Sequence, residues 1–323
     1  MAKQFIGELK EGQQVDSVFS VKYKKPPSDY KTKQGSWFSV GLSDMTGEME
    51  LRFWGGSDKG SVAKVYSSFK EDDIIRIVGF VRAGREKGRL EIHVNEDTGK
   101  LEKAASFNLE DFVPKTKQDI GKMLAEINTT IGSIGNPRTK ALLESFFRDK
   151  AFVDEFSRAP GGITMHHAYM GGLLEHTLHV VHICKSLLDI HPQLDHDLLL
   201  AGAILHDIGK TKEFRVTTNI KQTPDGMLRG HITIGQEMLL ERIKAVPDFP
   251  EELKLKIAHM MLSHHGNGEC GSPVIPAFAE AEAVHYADEC DAKIDQHITT
   301  KEDPRTEDFR VYSRKLGRPV YLK

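Results

Sequence analysis

In the first 98 or so residues the apolar positions alternate. Phe38, Val40 and Leu42 share one face of residues 37–42. After Asp44-Met45-Thr46-Gly47 the alternation resumes at Met49, Leu51 and Phe53. Ile75 and Ile77, then Leu90, Ile92 and Val94, mark two more runs, separated by Gly84-Arg85-Glu86-Lys87-Gly88. Short runs of period two between glycine-bearing turns predict a small β-barrel or sandwich. The same alternation turns Trp37, Glu48, Glu50, Arg52 and Trp54 outward.

The period then lengthens. Ile120, Met123, Leu124 and Ile127 predict a helix within residues 109–133, and Asn136-Pro137 opens another with Leu142, Leu143, Phe146 and Phe147 as its stripe. Beyond residue 161 the pattern predicts helices over about 170–190, 195–208, 231–245, 250–265 and 277–297. Gly209 suits a helix C-cap. Thr223-Pro224-Asp225-Gly226 reads as a turn between two extended pieces. The expected organisation is a multidomain chain. It comprises an all-β barrel over 1–100, a helical connector over 101–160, an all-α domain over 161–310, and a short basic, apolar tail over 311–323.

Composition adds limits. With 323 residues the chain can hold two ordinary domains. Its apolar runs are too short to span a bilayer, and the first residues lack a secretory pattern, so a cytoplasmic protein without membrane partners is expected. Three cysteines, far apart and without a CxxC pair, argue against a disulfide framework or a thiolate zinc site. Lys and Arg total 44 against 47 acidic residues, so any nucleic-acid contact rests on a local patch. The distinctive count is 15 histidines, mostly between His166 and His297.

These histidines sit where cores are expected. His206 and Asp207 end the run Leu198-Leu199-Leu200-Ala201-Gly202-Ala203-Ile204-Leu205. Burying either group unpaired costs roughly 2–7 kcal/mol, and a metal ion is one natural partner. His176 lies on an apolar helix, His264-His265 end another, His231 follows Gly230, and Asp288 sits on the last long helix. Imidazole and carboxylate donors suit Mn, Fe, Co, Ni or Zn.

The ordered set His176, His206-Asp207, His264-His265 and Asp288 resembles the HD superfamily of metal phosphohydrolases. The resemblance implies a first ion on His176, His206, Asp207 and Asp288. In two-ion members Asp207 bridges to a second, held by His231, His264 and His265. It implies catalytic roles for Asp207 and for Lys210, one turn on. Three segments narrow it: residues 161–177, with His166 and His167 as candidate substrate contacts; residues 223–232; and residues 285–293. They resemble the YhaM-type 3′-5′ exoribonucleases, which join an N-terminal OB-fold to a C-terminal HD domain. That implies two divalent ions, with Mn or Co favoured and Fe, Ni, Zn or Mg alternatives. It also implies a single-stranded RNA substrate, with single-stranded DNA as a second candidate, and a homo-oligomer. Two other readings stay open: an HD phosphohydrolase of a small or cyclic nucleotide, and a non-catalytic nucleic-acid-binding protein with a structural metal.

The barrel half carries features for single strands. Outward Trp37 and Trp54 can stack on bases, and the segment 22–33, with Lys24 and Lys25 among interleaved tyrosines, can track a phosphate backbone. The tail can dock on protein or touch nucleic acid; the sequence leaves both open.

Overall fold

A computed structural model describes residues 3–84, 89–163, 167–301, 309–313 and 316–322. Two compact units emerge: Met1–Pro114 with Thr217–Asn219, and Lys115–Val216 with Ile220–Lys323.

The first unit is the expected barrel. Its elements are β1 (Gln14–Asp29), β2 (Ser36–Asp44), β3 (Gly47–Trp54), α1 (Lys59–Ser67), β4 (Ile74–Ala83), β5 (Leu90–Asn95) and β6 (Lys100–Lys103). The order β1-β2-β3-β5-β4 closes through a β1–β4 pairing, and β6 adds to β4. The β3–β5 pair is parallel and the other pairs are antiparallel. This is OB-fold topology. Register explains the core: Val40 faces Leu51 and Phe38 faces Phe53, so the predicted apolar face is continuous. Phe38, Val40, Leu42, Leu51, Phe53, Ile75, Ile77, Ile92 and Val94 are all buried. Two features differ from expectation. A helix, α1, interrupts the strands; Asp58 caps it by accepting from the Gly60 N–H, and Val62 anchors it. And residues 22–29 are strand, paired with β2, rather than a loop.

The second unit is helical. It contains α2 (Ile120–Gly132), α3 (Pro137–Phe147), α4 (Lys150–Arg158), α5 (Gly172–Ile190), α6 (His196–Leu205) and α7 (Lys210–Glu213). A hairpin of β7 (Phe214–Val216) and β8 (Ile220–Gln222) follows, then α8 (Pro224–Lys244), α9 (Glu251–Ser263) and α10 (Ala279–Lys301). A last hairpin, β9 (Arg310–Ser313) and β10 (Arg318–Tyr321), forms from the tail. The helices expected as a connector share one core with the rest: Met123, Ile127, Phe146 and Phe156 pack in the same cluster as Leu173, Leu199 and Met260. Their apolar stripes have no other surface to cover, and each fully buried Leu or Phe side chain contributes about 1.5–3 kcal/mol.

Two local expectations fail for identifiable reasons. Thr223 is not in a turn but is the N-cap of α8, accepting from the Gly226 N–H, with Pro224 in the first helical turn. The turn lies earlier, between β7 and β8. Gly209 does not cap a helix in the left-handed region, having φ −62°. Its glycine identity serves a close approach: a Cβ there would stand 2.0 Å from the His231 carbonyl oxygen.

Candidate metal centre

Five elements deliver the predicted ligands to one place in the helical core. α5 carries His176. His206 and Asp207 leave the end of α6. His264 and His265 leave the end of α9, and Asp288 lies on α10. His231 follows Gly230, whose φ of 69° kinks α8 and demands glycine. The two helix ends use one device. His206 Nδ1 donates to the Ala203 carbonyl at 2.9 Å, and His264 Nδ1 donates to the Met261 carbonyl at 2.7 Å. Each satisfies a carbonyl that the helix terminus leaves unpaired.

Those bonds also fix tautomers. With Nδ1 protonated, Nε2 presents a lone pair inward. His176 Nδ1 donates to Asp291 at 2.7 Å, and His231 Nδ1 lies 2.9 Å from Glu213. So three imidazoles are hydrogen-bonded from behind, as ligating histidines are, and the Glu213 carboxylate stands behind the fourth. Their Nε2 atoms converge on Asp207, whose two oxygens divide between them. Oδ2 lies 3.6 Å from His176 and 3.4 Å from His206; Oδ1 lies 3.4 Å from His231 and 3.5 Å from His264. His176 Nε2 is also 3.1 Å from Asp288 Oδ1, and His265 Nδ1 is 3.7 Å from Asp288 Oδ2. His176, His206 and Asp288 form one group with metal-ligand spacing, and His231, His264 and His265 another.

The donor set fits divalent cations. Both Asp207 oxygens and His264 Nε2 are buried without a hydrogen bond among the described residues. Nitrogen and oxygen lone pairs facing each other at this spacing would suit a divalent ion, which His176, His206, Asp207 and Asp288, and His231, His264 and His265, would hold.

The electrostatics agree. Burial would raise the Asp207 carboxyl, but Lys210 and His206 hold it well below the usual carboxylate range. Lys210 Nζ is 2.5 Å from Asp207 Oδ2, and that partner more than offsets the burial that would discharge the ammonium. Burial opposes charge on His176, yet Asp288 and Asp291 push the metal-free imidazole up to about 9. Burial, reinforced by His264, drives His265 down to about 2.

Other predicted residues fall elsewhere. His166 lies outside the described residues. His167 is buried behind the ligands, with Nε2 2.8 Å from Asp291, so it stands against the support of His176. His179 Nδ1 donates to Asp291 at 2.8 Å, and His285 Nδ1 donates to the His264 carbonyl at 2.8 Å. Sequence reasoning missed Glu213, because nothing local distinguishes it from a solvated helix-end acid.

On the barrel, Trp37 and Trp54 are paired neighbours with ring centroids 5.8 Å apart. Trp54 is boxed in, stacked on Tyr30 at 6.1 Å and meeting His93 edge-on at 5.5 Å. The open aromatic beside it is Phe80, 41% exposed. Phe80, Tyr30 and Trp54 line an open groove of about 470 Å³ with Lys33, Arg82 and His93. Alternation could have found Phe80, since Ile75, Ile77 and Val81 point inward on the same strand. Lys24 turns inward. Its ammonium donates to the Tyr66 and Phe69 carbonyls and lies over both rings, so it faces no phosphate path. Lys25 stays exposed, 3.5 Å from Glu50.

Comparison with known proteins agrees with both units. The HD domain family matches residues 173–293, and the family of OB-fold nucleic acid binding domains matches residues 18–98. The 3′-5′ exoribonuclease YhaM of Shouchella clausii is 36% identical over 78% of this chain and 76% of its own length. The YhaM proteins of Bacillus subtilis and Bacillus licheniformis are 30% and 29% identical, each over 97% of both chains. An OB-fold barrel, an HD domain, and similarity along nearly the whole sequence together place this chain in the YhaM family of 3′-5′ exoribonucleases.

Proposed function

We propose that this chain removes nucleotides from the 3′ end of single-stranded RNA by phosphodiester hydrolysis, releasing nucleoside 5′-monophosphates. The observation that carries the reading is the divided carboxylate of Asp207, one oxygen toward each histidine group. That division suits two ions, with Asp207 between them, Asp288 and His176 and His206 on one, and His231, His264 and His265 on the other. Imidazole and carboxylate donors without thiolate suit Mn or Co. Divalent cations in such a site activate water and neutralise phosphoryl charge.

The chain's own residues do the rest. Three imidazoles are hydrogen-bonded from behind, so the site is built before substrate arrives. Lys210 supplies a buried ammonium beside Asp207, placed to meet a phosphoryl oxygen as negative charge develops there. On the barrel, the open ring of Phe80 offers a stacking face, worth about 1–3 kcal/mol per base, while Lys25, Lys33 and Arg82 supply phosphate contacts. No helix among the described residues is long and apolar enough to cross a membrane, and we place the activity in the cytoplasm.

The test is a 5′-labelled single-stranded RNA resolved on a sequencing gel with Mn²⁺ or EDTA, beside the matching DNA. A metal-dependent ladder of shortened products, absent in Asp207→Asn, is expected. Intact RNA with Mn²⁺ and Co²⁺, alongside turnover of mononucleotides or cyclic nucleotides, would refute the exonuclease reading.

A further inference from the structure

Behind the ligand groups lies a second, separate arrangement of polar side chains. Asp291, mostly buried on α10, receives three imidazoles. His176 Nδ1 and His167 Nε2 reach its Oδ2 at 2.7 and 2.8 Å, and His179 Nδ1 reaches its Oδ1 at 2.8 Å. The chain of contacts continues away from the metal ligands. His167 Nδ1 is 2.7 Å from the Tyr169 hydroxyl. That hydroxyl donates to Glu175 Oε2 at 3.0 Å, and the Thr116 hydroxyl donates to the same oxygen at 2.5 Å. Four links therefore run from Glu175 through Tyr169, His167 and Asp291 to His176.

The backbone is shaped to hold this line. His167 has φ 48°, a left-handed conformation that a non-glycine residue rarely adopts and that costs of order 1–3 kcal/mol. It is pinned there: its N–H donates to Asp295 at 3.0 Å, and its carbonyl accepts from Gly161 at 2.9 Å. Gly172, at the start of α5, lets that carbonyl come close, since a Cβ would stand 2.1 Å from it. Strain kept at one buried residue, and a glycine required beside it, suit a side chain whose position matters.

The alternative that three of these groups, His167, His179 and Asp291, hold an ion of their own is disfavoured by their bonding. Each already meets a hydrogen-bond partner, unlike Asp207 Oδ1 and His264 Nε2. A direct contact of His167 with substrate is disfavoured too, because the ring is buried and both its nitrogens are engaged.

We infer that His167, Tyr169 and Glu175 are positioning residues which act through Asp291 to orient His176 and strengthen its hold on the ion shared with His206 and Asp288. The inference rests on the metal reading above. A carboxylate fixed behind a ligating imidazole holds its ring orientation and makes its free nitrogen a better donor, and losing such a partner costs about 10–100-fold in metal affinity or activity.

The experiment uses the full chain with Mn²⁺ alone, following free Mn²⁺ by electron paramagnetic resonance. The variants are Tyr169→Phe, which removes one hydroxyl, and His167→Gln. Wild type should bind Mn²⁺, and each variant should bind the same number of ions with about 10-fold or greater loss of affinity at one position. Excess Mn²⁺ should restore kcat, with KM for the oligonucleotide unchanged. Thermal unfolding in EDTA is measured in parallel. Variants that lose stability yet bind Mn²⁺ as wild type does would overturn the inference, leaving the chain merely structural. A raised KM with unaltered Mn²⁺ affinity would overturn it in favour of substrate contact by His167. A wild-type chain that takes up no Mn²⁺ would sink the metal reading itself, a failure distinguishable from the other two.

Discussion

Asp207→Asn separates what this carboxylate does for the fold from what it does for catalysis. In the metal-free chain Asp207 and Lys210 are 1% and 6% exposed at the side chain, with Oδ2 and Nζ 2.5 Å apart. Asparagine keeps the shape but leaves an ammonium without its nearest counter-charge where water cannot reach. Breaking a buried pair from one side costs about 3–5 kcal/mol. Asp288 also supports the Lys210 charge, which favours the lower end, about 3 kcal/mol. For a unit of about 200 residues, each kcal/mol lowers Tm by roughly 2–4 °C, so the helical unit should melt about 6–12 °C lower in EDTA. Lys210→Met added to Asp207→Asn removes both charges and should recover most of that loss, while RNA turnover stays absent. Far-UV circular dichroism during heating reads the helical unit, and the labelled-RNA gel reads activity. An unchanged Tm in Asp207→Asn, or a double variant no more stable than the single, would refute the argument that these two charges neutralise each other inside the core.

Three further outcomes are expected. Phe80→Ala, assayed in EDTA so that no cleavage intervenes, should weaken oligonucleotide binding by roughly 5–150-fold, the equivalent of about 1–3 kcal/mol of stacking; fluorescence is a direct readout, since the chain's only two tryptophans both lie on this part of the barrel. Metal uptake at pH 7 should release a proton, because ligation needs neutral His176 and its metal-free form stays protonated up to about pH 9; apparent affinity should rise with pH toward that value, read by calorimetry in buffers of different ionisation enthalpy. The sign for stability is opposite: His176 contributes most to the metal-free fold below about pH 6.5, its unfolded value, and that contribution is lost as pH rises through about 9. Iodoacetamide should label exposed Cys290 and spare Cys184, whose thiol burial pushes up to about 12, as peptide mapping by mass spectrometry will read.

The clustering of the candidate ligands was legible because such groups sit where a sequence shows conflict. A histidine and an aspartate ending an eight-residue apolar run contradict the core they enter, and such contradictions mark functional sites. The strands were legible from period two, since one face of the barrel is fully buried. What escaped depends on tertiary neighbours. Lys24 reads as a phosphate contact until the carbonyls of Tyr66 and Phe69 are seen to receive it. Gly209 reads as a cap until the His231 backbone is seen against it. Tyr169 and Glu175 read as ordinary polar residues, because the Asp291 that joins them through His167 to the site, and the Thr116 that meets Glu175, come from other parts of the chain. The turn placed at Thr223 failed for a local reason: Thr-Pro-Asp-Gly also serves as a helix N-terminus, with threonine as cap and proline in the first turn.

The charges in the core explain how such a site can exist before any ion enters. Asp207 and Asp288 bring two negative charges into a region closed to water. Lys210 brings one positive charge, and His176, protonated in the metal-free chain, brings a second. The nearest groups thus sum to zero. The charge of Asp291 meets hydrogen bonds from three imidazoles. A cluster whose charges balance can be buried where an unbalanced one could not. It follows that the helical unit folds without metal, unlike small domains whose ligands repel one another until an ion arrives. Metal uptake would then displace a proton from His176 instead of organising a disordered chain. Chelation should therefore abolish RNA turnover while far-UV circular dichroism keeps its native helical signal, and Mn²⁺ should restore activity at once. A helical signal that collapses in EDTA would show that the proton and the lysine do not balance the carboxylates.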